Sequence, residues 1–400
     1  MSNRSHKQRR WKRRVLVLAL GGLVSVPLLW LLVHRVPWLG PMFADGLRAV
    51  VGARAVERLE IFAYGLEDRA NRLLRSDQPP APAWSAPQIP PPAPSASLAA
   101  AATATPRPPF RPPGVAPMHE KTKTAVDGVW VPVADPRRPT EPSVMAKTLL
   151  HPDASRPWAE LFVVAFELAR VRISLVPGTV EPRPNVVDAR DLERPGLIPE
   201  AHHDALLAAF NGGFKTQHGH YGLGLRGTTV VKARPQSCTI ASYADGSLRI
   251  ATHKTVAQDE AEWIWWRQGP PCVYEDDRMH PSLWDAETRG WGAALGGETV
   301  IRRSAVGVNR EGSILFVGVS NHTTARAMAD GMQHAGASDV AQLDVNWSFP
   351  KIVLFRQGEK GQLEAESAFK GFIVDKKELL HTASRRDFFY VHRQQPLASN

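Results

Sequence analysis

The sequence predicts a mixed α/β fold, of the α+β type, for a single domain over residues 125–400. Three observations support this organisation. An uncharged apolar run and a proline-rich stretch both precede the region of ordinary globular composition. Within that region, short apolar runs flank Asp-Gly and Glu-Gly turn signals, which predict hairpins. One strand–helix–strand pattern near the C-terminal third adds the helical part of the prediction.

The first predicted element is a transmembrane anchor. Residues 15–33 form a run of nineteen residues without a charge, and at a rise of about 1.5 Å per residue they nearly span a hydrocarbon core of about 30 Å. Residues 1–14 carry seven basic and no acidic side chains, which predicts a cytoplasmic N-terminus and a periplasmic or extracellular C-terminal domain. A cleaved signal peptide is the alternative, but the run is long for one and no small-x-small cleavage site follows it.

The net charge of +10 is largely a property of that basic tail. Without its seven basic residues the chain carries a charge of about +3, so the excess positive charge predicts topology and not nucleic-acid binding. The partner that this charge pattern predicts is therefore a membrane, through residues 15–33, and not a nucleic acid.

Two segments separate the anchor from the domain. Residues 34–77 are predicted to form a helical stalk, because apolar residues recur at helical spacing from Phe43 to Leu74 with a break near Gly52. A dimerising helix and a surface-lying helix are alternatives. Residues 78–124 are predicted to form a disordered linker, since fourteen of the forty residues from 78 to 117 are proline.

The strand–helix–strand pattern predicts where functional side chains meet. A strand over Ile314–Ser320 leads to a helix capped by Thr323 or Thr324, and Gly336 ends that helix before a second strand over Val340–Asp344. Short joints of this kind predict a parallel pair with a right-handed crossover, whose strand ends bind ligands in α/β units. We expect these polar side chains to converge at that edge: Ser320, Asn321, His322, Asp344 and Asn346.

The two cysteines, Cys238 and Cys272, both lie in the exported part of the chain. An oxidising compartment favours a disulfide between them, with two buried thiols or one reactive thiol as alternatives. A metal site is not predicted, because no CxxC pair exists and the His218-x-His220 pair has no acidic or cysteine partner at a familiar spacing. No cofactor is predicted either, since the P-loop, dinucleotide and nucleophile-elbow motifs are absent from the sequence.

Four short stretches carry a resemblance to a known family. They are Ala209–Lys215 (AFNGGFK), His218–Gly227, Arg302–Gly307 (RRSAVG) and Gln342–Ser348 (QLDVNWS). In order and spacing they resemble the phosphodiester glycosidase family, which includes the enzyme that uncovers mannose 6-phosphate by removing a covering N-acetylglucosamine. That family has an Asn-Gly-Gly-aromatic turn, an Arg-Thr/Ser-Ala-hydrophobic-Gly strand and a Leu-Asp-Gly-Gly-Gly-Ser turn. The resemblance covers about Asp127 to Val391.

This chain also departs from the family pattern. Val345, Asn346 and Trp347 replace the three glycines of the last motif, and Ser320 stands where the family has an acid. These differences indicate a divergent, bacterial-type member. The tryptophan side chain could stack on a sugar ring.

The resemblance implies a hydrolase that cleaves a sugar–phosphodiester bond on an envelope or extracellular glycan. Asp344 would activate water or stabilise an oxocarbenium-like state, Arg303 would contact the phosphate, and Asn211 would orient a sugar substituent. The other residues expected to bind the substrate are Gly212, Gly213, Lys215, His218, His220, Arg226, Asn346, Trp347 and Ser348.

Other interpretations of the same residues stay open. Asn-Gly-Gly is a common turn, Arg303 could be a surface arginine and Asp344 could cap a loop. The alternative function is a non-catalytic glycan-binding or envelope-maintenance domain with the same fold. A structural scaffold assembled through residues 43–75 is a third possibility.

Overall fold

The computed structural model describes residues 46–47, 50–75, 77–85, 108–284 and 299–394. The predicted basic tail and anchor, residues 1–14 and 15–33, lie outside these described residues. Within the described ranges, no helix has both the length and the hydropathy needed to cross a bilayer. The chain divides into two compact units, Met1–Leu59 and Glu60–Asn400, and all the strands belong to the second unit.

Helices are few in the described part of the chain. The α-helices are α1 (Ala53–Leu74), α2 (His253–Val256) and α3 (Ala325–His334). Helix α1 lies within the predicted stalk and follows Gly52, the position of the predicted break. Short 3-10 helices occur at Glu120–Thr122, Leu168–Arg170, Val187–Ala189, Glu200–Ala205, Ala257–Glu262 and Pro281–Leu283.

Strands form most of the regular structure. In chain order they are β1 (Val131–Pro132), β2 (Met145–Leu150), β3 (Leu161–Glu167), β4 (Val171–Val176), β5 (Leu206–Asn211), β6 (Leu223–Leu225), β7 (Thr228–Val231), β8 (Cys238–Tyr243), β9 (Leu248–Thr252), β10 (Trp263–Gln268), β11 (Tyr274–Glu275), β12 (Arg278–Met279), β13 (Ile301–Val308), β14 (Ile314–Thr323), β15 (Asp339–Val345), β16 (Ile352–Gln357), β17 (Leu363–Ser367) and β18 (Phe388–Arg393).

These strands form three antiparallel sheets. The first sheet has the order β1-β2-β3-β14-β13-β15-β11-β12, the second β7-β6-β10-β8-β9, and the third β17-β16-β5-β18-β4. The hairpins predicted at Asp245-Gly246 and Glu311-Gly312 are confirmed as β8–β9 and β13–β14. The predicted mixed α/β class therefore fits only roughly, because antiparallel sheets dominate the described residues.

The strand–helix–strand unit differs from its predicted pairing. Strands β14 and β15 run parallel, but β13 lies between them and pairs antiparallel with both. The helix ends are as predicted: the Thr324 side chain accepts a hydrogen bond from the Ala327 amide at 3.1 Å, and Gly336 follows α3 with a φ of 114°. The hairpin partner of β14 thus occupies the position that the sequence pattern assigned to β15.

The main core lies where the three sheets face one another. Phe162 of the first sheet, Trp265 of the second and Phe389 of the third belong to one buried apolar cluster. On the opposite face of the first sheet, Met328 and Met332 of α3 pack into a second cluster. The predicted disulfide between the two cysteines at positions 238 and 272 is confirmed.

The described part of the predicted linker, residues 78–85 and 108–124, includes segments that pack against the domain. The Phe110 amide donates to the Ser143 carbonyl at 2.9 Å, and the Val115 amide donates to the Gly128 carbonyl at 3.1 Å. Phe110, Val115 and Met118 also pack against the cluster that contains α3. These apolar side chains bury surface against the first sheet, which the proline count alone does not reveal. Residues 86–107, in the middle of the predicted linker, lie outside the described residues.

Candidate active site

Two β-bulges flank the start of β13. Ile301 faces Thr323 and Arg303 faces Ser320, so the single residue between them on β13 lies opposite two residues of β14. On the other side Arg303 faces Val345 and Ala305 faces Gln342, so one residue of β13 again lies opposite two, here on β15. Bulges re-aim side chains and are common beside functional sites. Here they place Asn321–His322 and Leu343–Asp344 on either side of β13.

Asp344 is the buried carboxylate of this region, with a relative exposure of 3%. Its Oδ2 accepts hydrogen bonds from Arg386 Nη2 at 2.8 Å and from Asn346 Nδ2 at 3.0 Å. Burial raises the pKa of the Asp344 carboxyl above its ordinary value, and the Arg386 charge opposes that rise. The bulge turns this side chain towards the third sheet, where Arg386 lies.

Asn211 connects the end of β5 to the same point. Its Nδ2 donates to Ser304 Oγ at 2.8 Å, and Ser304 Oγ donates to the Asp344 carbonyl at 3.2 Å. Its Oδ1 accepts from the Lys351 amide at 3.2 Å. The predicted pair of Asn211 and Asp344 is therefore brought together, with Ser304 as the bridge between the first and third sheets.

The Gly212–Gly213 turn has no room for side chains. A Cβ on Gly212 would lie 2.4 Å from Asp387 oxygens, and one on Gly213 would lie 2.6 Å from the Arg267 guanidinium. The two amides donate to Asp387, at 2.9 Å to its carbonyl and 3.0 Å to its Oδ2. The Gly212 carbonyl accepts from the Asp344 amide at 3.2 Å. The sequence requires glycine here because other protein groups approach the backbone closely.

A buried ion pair that sequence reasoning missed holds this turn. Arg267 Nε donates to Asp387 Oδ2 at 2.8 Å, and both side chains are fully buried. The remaining Arg267 donors bind carbonyls, among them that of Phe214 at 2.7 Å. The available signal was a charge within an apolar strand, as in Trp265-Trp266-Arg267, since unpaired charges are rarely buried.

Arg303 is placed close by but is completely buried. Its guanidinium donates to the carbonyls of Thr323 and Thr299, at 3.2 and 2.9 Å, and to Gln342 Oε1 at 3.0 Å. Because strand side chains alternate between faces, Arg303 points to the α3 side of the sheet together with Gln342. Ser304 points to the opposite side, towards Asn211.

The turn at 346–348 has a polar cap in place of glycines. Asn346 Oδ1 accepts from the amides of Ser348 and Phe349, at 2.9 and 2.6 Å, while its Nδ2 contacts Asp344. Trp347 is half-buried beside them. The asparagine therefore stabilises the turn and orients the carboxylate at the same time.

The predicted substrate-binding residues that follow the Gly212–Gly213 turn are more dispersed. Lys215 and His218 are half-buried and lie in the loop after β5, where the Thr216 amide donates to Glu181 Oε2 at 3.0 Å. His220 is exposed in the same loop. Arg226 is exposed in the β6–β7 turn. Burial raises the pKa of Tyr390, and the Arg226 charge opposes that rise. Within the described residues, no group of three or more His, Cys, Asp or Glu side chains could hold a metal ion.

The second bulge carries Asn321 and His322, opposite Arg302. Burial and the nearby Arg75 and Arg302 charges lower the pKa of His322 to about 4, although Asp68 opposes this shift. Asp68 is itself tied to Arg156, whose Nε lies 2.7 Å from its Oδ1. At neutral pH the His322 imidazole is therefore neutral.

Comparison with known proteins shows what the segment that contains this site is similar to. The phosphodiester glycosidase family model matches residues 204–344, which include Asn211, Arg303 and Asp344, so the resemblance is confirmed over this segment. No curated protein sequence matches the chain.

Several solved structures are similar at low identity. The zebrafish N-acetylglucosamine-1-phosphodiester alpha-N-acetylglucosaminidase catalytic domain, auto-inhibited by its pro-peptide, is 14% identical with a TM-score of 0.39, covering 63% of this chain and 84% of that one. A hypothetical protein from Synechocystis is 12% identical with a TM-score of 0.35, covering 62% of each chain. A putative exported protein from Burkholderia pseudomallei is 12% identical with a TM-score of 0.31, covering 63% and 75%. Similarities this low carry no functional argument.

The Arg267–Asp387 pair predicts a large effect on stability. Asp387→Asn leaves the Arg267 guanidinium buried without its counter-charge, so we expect the free energy of unfolding to fall by about 3–5 kcal/mol. Urea unfolding of the full chain in detergent, followed by circular dichroism, measures the change. Asp245→Asn at the exposed β8–β9 turn is the control, with an expected change within about 0.5 kcal/mol. Equal effects of the two substitutions would contradict the assigned role.

The neutral His322 predicts a pH dependence of stability. Its folded pKa is about 4 and its ordinary value is 6.5, so the unfolded chain binds this proton first, and stability is lost as pH falls from about 6.5 to about 4. In His322→Gln that loss is smaller, by up to about 3 kcal/mol at pH 4. The difference between the two proteins is the readout, because the pKa values of other histidines are lowered too: His202, His253, His280 and His392. Parallel stability curves for the two proteins would contradict the prediction.

Proposed function

We propose that this protein is a membrane-anchored hydrolase that cleaves a sugar–phosphodiester bond on an envelope or extracellular glycan. The observation that carries the proposal is the enclosed Asp344 carboxylate, held at a bulge between Arg386, Asn346 and the Asn211–Ser304 bridge. The match to the phosphodiester glycosidase family over residues 204–344 supports the reaction class.

Asp344 would act at the anomeric carbon. A carboxylate there activates water or stabilises an oxocarbenium-like state, and either role requires the ionised form. Burial favours the neutral acid, whereas the Arg386 hydrogen bond and charge favour the carboxylate. Asn346 fixes the orientation of the same oxygen. Arg386 and Asn346 are thus proposed as positioning residues for the catalytic carboxylate.

The leaving group requires less assistance than in an ordinary glycosidase. A phosphate monoester is stable as an anion, so it needs positive charge and hydrogen-bond donors more than a proton. This fits a site whose enclosed carboxylates, Asp344 and Asp387, are each paired with an arginine. Asn211 is proposed to orient the sugar. The substrate would replace either Ser304 as the partner of Asn211 Nδ2 or the Lys351 amide as the partner of Asn211 Oδ1.

The location of the domain is also a proposal. The disulfide supports an oxidising compartment, as does the charge asymmetry around residues 15–33. A reporter enzyme that is active only outside the cytoplasm, fused after Asn400, should be active in intact cells. The same reporter fused to the N-terminus of the full chain should be inactive. Activity of the N-terminal fusion together with inactivity of the C-terminal one would overturn the topology.

A non-catalytic glycan-binding domain with the same fold is the second candidate. Two observations favour it: the 3% exposure of Asp344, and the three side chains at 345–347 that replace the glycines of the family pattern. Binding of glycans without turnover would distinguish this candidate from the hydrolase.

Turnover tests the role of Asp344 directly. With N-acetylglucosamine-1-phosphodiesters and other sugar-1-phosphodiesters as substrates, Asp344→Asn should lower kcat by at least about a hundredfold, because the amide can neither activate water nor stabilise positive charge. The wild-type rate should fall on acidification through a pKa above 3.8, since burial raises the pKa of this carboxyl.

Asp339→Asn is the matched control, because Asp339 lies at the opposite end of β15. It should keep most of the wild-type kcat. If Asp344→Asn retains wild-type turnover, the assignment of the carboxylate fails, and if wild type turns over none of the substrates, the hydrolase proposal fails.

A further inference from the structure

Strand β13 presents two polar side chains on the face that looks towards Asn211. Ser304 contacts Asn211 and the Asp344 carbonyl, at 2.8 and 3.2 Å. Arg302 precedes it by two residues, and alternation along a strand puts both side chains on one face, about 7 Å apart. Arg302 lies opposite the bulge on β14, and Ser304 lies opposite the bulge on β15. Arg302 therefore lies beside the Asp344 site and not on the α3 side with Arg303.

The charge of Arg302 has no acidic partner among the described residues. Its guanidinium donates one hydrogen bond, from Nη2 to the Gly371 carbonyl at 3.1 Å, and lies 4.5 Å from the Phe372 ring centroid. The side chain is half-buried, and burial alone lowers the pKa of Arg302 to about 10. A desolvated guanidinium with no carboxylate partner lacks a counter-ion that a bound anion can supply.

The bulge opposite Arg302 adds unused hydrogen-bonding groups. Asn321 Oδ1 is buried and finds no partner within the described part of the chain. Buried polar atoms of this kind are uncommon in folded proteins and are often completed by a ligand or water. The neighbouring His322 is half-buried and neutral, so one ring nitrogen is available as a donor and the other as an acceptor. The Arg75 charge also acts on this imidazole, which makes the environment positive.

We propose that Arg302, Asn321 and His322 form the subsite that binds the phosphate group of the substrate. This inference rests on the proposed hydrolase function and changes its phosphate ligand from Arg303 to Arg302. All the Arg303 donors named above are directed to carbonyls and to Gln342, whereas Arg302 retains most of its donors. A phosphate at Arg302 places the attached sugar over Ser304 and next to Asp344. The Asn321 side-chain oxygen, Oδ1, then accepts a hydrogen bond from a hydroxyl group of the substrate.

Titration of the full chain in detergent with inorganic phosphate tests the subsite without any turnover. Wild type should bind phosphate, and Arg302→Gln should raise the phosphate Kd at least tenfold. Arg302→Lys keeps the charge but loses the planar fork, so an intermediate Kd is expected. Arg310→Gln, on the exposed β13–β14 hairpin, is the matched control and should bind like wild type. Absence of phosphate binding by wild type, or equal binding by Arg302→Gln, overturns the proposal.

A second variant protects the test against a folding defect in Arg302→Gln. Asn321→Ala and wild type should have the same circular dichroism spectrum. Asn321→Ala should nevertheless bind phosphate more weakly, because a P–OH group of inorganic phosphate loses Oδ1 as its acceptor. An unchanged Kd in that folded variant contradicts the proposed subsite.

The phosphate assignment and the hydrolase proposal can fail separately. If Asp344→Asn loses turnover while Arg302→Gln leaves both KM and the phosphate Kd unchanged, only the phosphate assignment fails. If wild type binds phosphate through Arg302 but turns over no sugar-1-phosphodiester, only the hydrolase proposal fails.

Discussion

The buried ion pair between Arg267 and Asp387 is the constraint on which the rest of the site depends. Arg267 belongs to the second sheet, whereas Asp387 directly precedes β18 of the third. Asp387 binds both amides of the Gly212–Gly213 turn, and the Gly212 carbonyl binds the amide of Asp344 on the first sheet. One salt bridge thus fixes the point at which all three sheets meet. Full burial of both charges makes each necessary to the other, since either alone would be an uncompensated charge in a low-dielectric interior.

The two bulges explain how an ordinary antiparallel sheet acquires a functional edge. In a regular strand Asp344 would share a face with Gln342 and lie under α3. The extra residue on β15 turns the Asp344 carboxylate towards Arg386 instead. The extra residue on β14 places the buried Asn321 Oδ1, which has no partner among the described residues, opposite Arg302. Strand β13 itself stays regular, so its alternation gives Arg302 and Arg303 different environments. Two adjacent arginines then serve different purposes, one inside the sheet packing and one beside the carboxylate.

Local sequence patterns predicted the local features of this fold. The Asp-Gly and Glu-Gly turns, the Thr324 cap and Gly336 after α3 depend on residues close in sequence, and the structure has each of them. Which strand pairs with β14 depends on the strand order of the sheet, which no short sequence pattern encodes. In the structure β13 lies beside β14, in the position that was predicted for β15. Within the candidate site, Asn211 and Asp344 were predictable from motifs. The pairing of Arg267 with Asp387 was not predictable from a motif, because these two residues are 120 positions apart in the sequence.

The replacement of three glycines by Val345, Asn346 and Trp347 has a structural consequence that a motif comparison alone does not give. A glycine turn exposes its amides, whereas Asn346 caps two amides of its own turn and donates to Asp344. The carboxylate in this chain is therefore positioned by a side chain from its own turn and by Arg386 from the segment that precedes β18. A divergent turn can thus hold the carboxylate through a side chain of its own instead of through exposed backbone amides.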